Sequence, residues 1–218
     1  MKVIFNMVWV LNILEIIACL VSFLYFKKLR STYWRWLPFY LLFIIIIEFI
    51  GRYFAATGQY QVNTLLFRYI GFPIFFLFYF SVFYQHEYFT NKRKWIIGGA
   101  VFYLASVVAE GFLKHENSYW FSSLSYCTAN LLLVIYLLIF FLKLIPSDDI
   151  LYFSKSLMFW FCLGLLIYYV GTLPYYGLRN LLAFRHIKIY IMYSYIWIIL
   201  NFCMYLLFIT GLILCKQK

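Results

Sequence analysis

Apolar positions along this chain fall into seven windows of about 20 residues, the length an α-helix needs to cross a hydrocarbon core, separated by short polar stretches. They run Ile4–Phe26, Trp36–Ala56, Thr64–Tyr84, Trp95–Leu113, Tyr119–Leu142, Ser156–Tyr176 and Ile189–Leu214, with no internal repeat. Backbone groups in lipid must be satisfied within their own segment, and alternating ten-residue segments are missing, so the pattern predicts helices and excludes a barrel. Proline and glycine mark bends: Pro73 follows Gly71, and Pro174 follows Gly171, each within or near the end of a span. Kinks there would open space between helices, while Gly98, Gly99 and Gly164 are small enough to admit a neighbouring helix.

Composition narrows the class. Hydrophobic residues make up 67% of the chain and charged residues 11%, which leaves too little polar surface for a soluble fold. No polar run is long enough for a separate domain, so residues 1–218 read as a single polytopic membrane domain, an all-α seven-helix bundle. A net charge of +11 would suggest nucleic acid in a soluble protein. Here Lys and Arg sit in short loops, so the lipid bilayer is the expected partner and direct nucleic-acid binding is not.

Eleven of the eighteen basic residues fall on one side of the bundle: Lys27, Lys28, Arg30, Arg35, Lys92, Arg93, Lys94, Lys143, Lys155, Lys216 and Lys218. That bias predicts the N-terminus outside and the C-terminus in the cytoplasm, in a cytoplasmic (inner) membrane. The opposite side holds Lys2, Lys114, Arg179, Arg185 and Lys188, three of them in GLRNLLAFRHIK, a loop amphipathic enough for a short interfacial helix. Lys2 before an apolar run could open a secretory signal, but an uncleaved first helix is the expectation. The five cysteines have no metal-like spacing and read as free thiols.

Charges inside the spans are the candidate chemistry. Glu15, Glu48, Arg52, Arg68 and Glu110 lie in four different windows, at depths that place them in the middle and outer part of the bundle. An ionised group is expensive in hydrocarbon without a partner, so these residues should face inward and pair. Arg52 follows Glu48 by one helical turn on the same face. Asn12, Asn130 and Asn201, with Tyr168, Tyr169, Thr172 and Tyr175, can add hydrogen bonds. Two readings follow: a packing lock made by Glu48–Arg52 or Glu110–Arg68, or an outward-opening polar cavity formed by Glu48, Arg52, Arg68, Glu110, Glu15, Asn130 and Asn201 that binds a small ligand or ion.

Catalysis has little support. His86, His115 and His186 fall in or beside loops, no GxSxG, HExxH or Walker sequence is present, and the last window has no lysine for a retinal Schiff base. No catalytic residue, cofactor or metal site is expected. Trp34, Trp36, Trp95, Trp120 and the Tyr175–Tyr176 pair read as interfacial anchors.

The stretches EFIGRYFAATGQY, FWFCLGLLIYYVGTLPYY and IWIILNFCMYLLFITGLIL resemble small seven-helix membrane proteins of Bacteroidota-type bacteria. The resemblance spans most of the chain and implies the fold without an activity. A second similarity, of size and helix number, is to membrane accessory proteins of antiviral systems, including those beside RNA-targeting CRISPR nucleases. The expected function is therefore a receptor-like or accessory protein, in which an outer cavity binds a small species and the basic inner loops engage a cytoplasmic partner. An oligomeric pore or channel subunit of a defence system, built from copies of this chain, is the alternative, and a lipid-directed enzyme comes third.

Overall fold

The structure, a computed structural model, describes residues 2–113 and 121–215. Seven helices are long and apolar enough to cross a membrane: α1 (Lys2–Leu24), α2 (Leu37–Ala56), α3 (Tyr60–Gln85), α4 (Arg93–Leu113), α5 (Ser123–Leu144), α6 (Leu157–Arg185) and α7 (Ile187–Leu214). The expected turn at His115, the anchor Trp120, the start of the fifth window and the basic residues Lys114, Lys216 and Lys218 lie outside the described residues.

Successive helices pack on one another, and α1 closes the ring by packing against both α2 and α7. Within that ring α3 is central, because it touches α2, α4 and α5. Its Phe76, Tyr79, Phe80 and Phe83, spaced three and four apart, are all buried. Helices in lipid gain nothing from hiding apolar surface from one another, so packing geometry must hold them. Ring-on-ring contacts supply much of it. Phe76 meets Tyr103, Tyr126 and Tyr169 at 5.5, 5.3 and 5.5 Å between centroids, and Phe161 stacks on Phe208 at 4.5 Å while taking Trp34 edge-on at 4.7 Å. Such pairs contribute about 0.5–1.5 kcal/mol each beyond simple burial.

Two local features shape the end of the bundle where α1 begins. Gly58, at φ 77°, turns the chain from α2 into α3, a left-handed position that a side chain would strain. Beyond it α3 is interrupted by a π-helical turn at Phe67–Gly71, which ends two residues before Pro73, where the backbone lacks an N–H. Insertions of this kind widen a helix locally and recur at functional sites.

The GLRNLLAFRHIK stretch is not a separate interfacial helix. Helix α6 continues through Pro174 as far as Arg185, and α7 begins at Ile187, so the stretch forms the tip of a long helical hairpin turned at His186. Close packing explains how the proline is carried, because the hairpin partner lies directly against α6. At Gly164 a Cβ would come within 3.1 Å of the Phe208 ring and 3.2 Å of the Met204 carbonyl.

Candidate functional site

A cavity of about 620 Å³ opens at the end of the bundle where α1 begins. Its mouth is formed by Val8, Ala55, Thr64, Ala183, Phe184 and Tyr190, and its depth by Tyr168, Trp197 and Asn201. Phe72, Phe76, Phe121, Tyr126, Tyr169 and Tyr176 make the walls. The π-helical turn places Phe67 at one side, and the hairpin α6–α7 supplies the other.

Glu48 and Arg52 line this cavity, paired at 3.3 Å along one face of α2. The Arg52 guanidinium also donates to Asn12 Oδ1 on α1 and lies over Trp9 and Phe49, at 5.6 and 5.2 Å from the ring centroids. Its Nη1 and the Asn12 Nδ2 are buried donors with no acceptor among the described residues. Glu15 stands behind the pair, 3% exposed, against Glu48, Arg52 and Tyr205. Asn201 reaches the floor, where its Nδ2 donates to the Trp197 carbonyl at 2.9 Å.

The other expected members are elsewhere. Glu110, 1% exposed, accepts from the backbone N–H groups of Leu124 and Ser125 at 3.2 and 2.9 Å and from the Ser125 hydroxyl at 2.6 Å. It therefore caps α5, where the unpaired N–H groups of the first turn favour an anion. Arg68 is 3% exposed and donates from Nε to Ser122 Oγ at 2.5 Å, so it too is committed to the start of α5. Asn130 is buried away from the cavity, and its Nδ2 donates to the Tyr169 carbonyl at 3.2 Å. The five charges thus form two groups, one in the cavity and one binding α4 and α3 to α5.

One charged residue of the cavity lining was not among the candidates. Arg179, placed by sequence in a surface loop, lies on α6 and lines the cavity. Its neighbours are rings and hydroxyls: the guanidinium is 4.6 Å from the Phe121 centroid, 5.8 Å from Tyr175 and 5.9 Å from Tyr176, with the Tyr190 hydroxyl alongside. Asn180 beside it is pinned by donating from Nδ2 to the Phe121 carbonyl at 3.0 Å and accepting from the Phe121 N–H at 3.0 Å. A signal existed, because Tyr168, Thr172, Tyr175, Arg179 and Ala183 keep a helical spacing straight through Pro174. Deeper, Trp197 Nε1 donates to the Tyr168 hydroxyl at 3.1 Å, and Tyr168 and Tyr176 hydroxyls lie 3.4 Å apart.

The lining therefore carries two guanidinium groups against one carboxylate, with hydroxyl and indole donors around them. Such a lining suits an anion. Among the described residues no three His, Cys, Asp or Glu side chains come together in a metal-binding arrangement. No protein family, curated protein or solved structure matches this chain.

Proposed function

We propose that this chain is a receptor-like, multi-pass protein of the cytoplasmic membrane, N-terminus outside, whose cavity takes a small organic anion with an apolar body. One observation carries the reading: among the described residues, Arg179 and Arg52 line a shared aromatic space whose lining holds a single carboxylate, Glu48, with Glu15 behind it, so the lining itself has one more cation than it has acids. A volume of about 620 Å³ falls within the range of small-molecule sites. Arginine held over aromatic rings is poised for planar, bidentate contact with a carboxylate or phosphate. The floor favours a closed site over a conduit, since Phe161, Phe208 and Phe80, which do not line the cavity, are fully buried in the packed core. Occupancy would be felt along α3, which runs from the cavity wall to the basic end, where the short loops offer a docking surface for a separate cytoplasmic partner.

The test uses the detergent-solubilised full chain with phenyl phosphate and benzoate, against benzylamine and benzamide as cationic and neutral controls. The anions should raise the melting temperature, and Arg179→Gln should weaken their binding about 10- to 100-fold, the range of one charge-assisted contact, while the unliganded protein melts normally. Equal binding of benzylamine, or unchanged anion affinity in Arg179→Gln, would rule the reading out.

A further inference from the structure

A second concavity lies on the outside of the bundle, at the opposite end, between α4 and α5. Its volume is about 950 Å³, with Trp95 and Phe102 along one wall and Leu132, Ile135 and Ile139 along the other. Gly98 and Gly99 form the floor, and Lys92 and Lys94 stand at the mouth.

We propose that this groove holds one acyl chain of an anionic phospholipid, with Lys92 and Lys94 gripping its headgroup. Length is the first argument. From Lys92 to Phe102 is ten residues of α4 and its leading turn, about 15 Å of helix, which is half of a hydrocarbon core of about 30 Å and so the depth of one leaflet. Charge is the second: both lysines are exposed, neither is ion-paired with an acid among the described residues, and Trp95 beside them is 76% exposed at the level of an interfacial anchor. Glycine is the third. Gly99 has a packing reason, since a Cβ there would run into the Tyr136 hydroxyl. Gly98 has none, because a Cβ would meet nothing within 4 Å, yet a helical glycine weakens the helix. On this proposal the acyl chain lies in the space that it leaves.

A second copy of the chain fits the groove less well. A two-fold axis along the membrane normal would bring the same lysines together at the same depth, like charge against like. A phospholipid supplies the opposite charge and the apolar chain in one molecule.

The test is native mass spectrometry of the detergent-purified full chain with dioleoylphosphatidylglycerol and dioleoylphosphatidylcholine. Phosphatidylglycerol should be retained at least tenfold more strongly. Lys92→Gln with Lys94→Gln should remove that preference, about fivefold for each lysine, whereas Lys27→Gln with Lys28→Gln should leave it. Gly98→Leu should fill the groove and reduce retention of both lipids at a melting temperature no lower than that of the unaltered protein. The proposal is overturned if the two lipids are held equally, if either groove variant keeps the unaltered preference and retention, or if Gly98→Leu abolishes a dimer that forms without lipid.

Discussion

At the scale of single residues, the charges inside the bundle do different work according to what satisfies them. Arg52 and Glu48 compensate each other with about three tenths of each side chain still exposed, at 31% and 28%. Arg52→Gln should therefore cost about 1–3 kcal/mol, less than the 3–5 of a fully desolvated pair, and adding Glu48→Gln should restore the melting temperature without restoring anion binding. Glu110 accepts from backbone N–H groups and the Ser125 hydroxyl at the start of α5, a role that a search for opposite charges does not reveal. Glu110→Ala should cost about 2–4 kcal/mol in chemical or thermal unfolding in detergent, because α5 loses its cap and keeps buried donors. His86, between α3 and α4, is a different case. Burial pushes its imidazole down to about 4, Lys143 pushes it further in the same direction, and Asp149 opposes them. Its Nδ1 accepts from the Tyr88 N–H at 3.2 Å, Tyr33 lies edge-on to the ring, and the Tyr88 hydroxyl donates to Asp149 at 2.7 Å. The unfolded chain takes up this proton first, so stability should be constant above about pH 6.5 and fall as the pH drops toward 4, by about 3 kcal/mol at most. His86→Asn keeps the cap and should flatten that part of a melting-temperature profile between pH 4 and 7.5.

At the scale of elements, the seven apolar windows were legible because their length alone commits them to helix, and the ends fell within a few residues except at GLRNLLAFRHIK. There the polar, basic residues after Tyr176 read as a loop, although a helix packed along its length carries them and tolerates the proline before them. That reading put Arg179 in solvent and hid the cavity's second cation. The adjacent glycines of α4 show the same limit, since sequence gives both the same meaning and packing gives them opposite ones. Gly99→Ala should destabilise by about 1–3 kcal/mol through its clash with Tyr136, and Tyr136→Phe should recover most of the loss. Gly98→Ala should instead gain about 0.5–1 kcal/mol, measured by thermal melting without added lipid.

At the scale of the molecule, which helices touch could not be read from windows that are apolar all round. The central place of α3 rests on ring contacts made to four different helices, which no local pattern encodes. Orientation is the property that loop charge does address, and reporter fusions after Arg30, within residues 58–63 and at Lys218 should report inside, outside and inside. The hairpin of α6 and α7 adds one consequence. Its arms are 29 and 28 residues, about 43 and 42 Å of helix, against a hydrocarbon core of about 30 Å. With both arms near the membrane normal and their other ends level with the hydrocarbon boundary, the tip would extend roughly 10 Å beyond the lipid chains, carrying Arg185 and Lys188 with it. Phe184 and Tyr190 line the cavity near that tip, so on the proposed function an entering anion would come from water and meet positive charge first. Capture should then be fastest in dilute salt and slow as ionic strength rises, with release little altered.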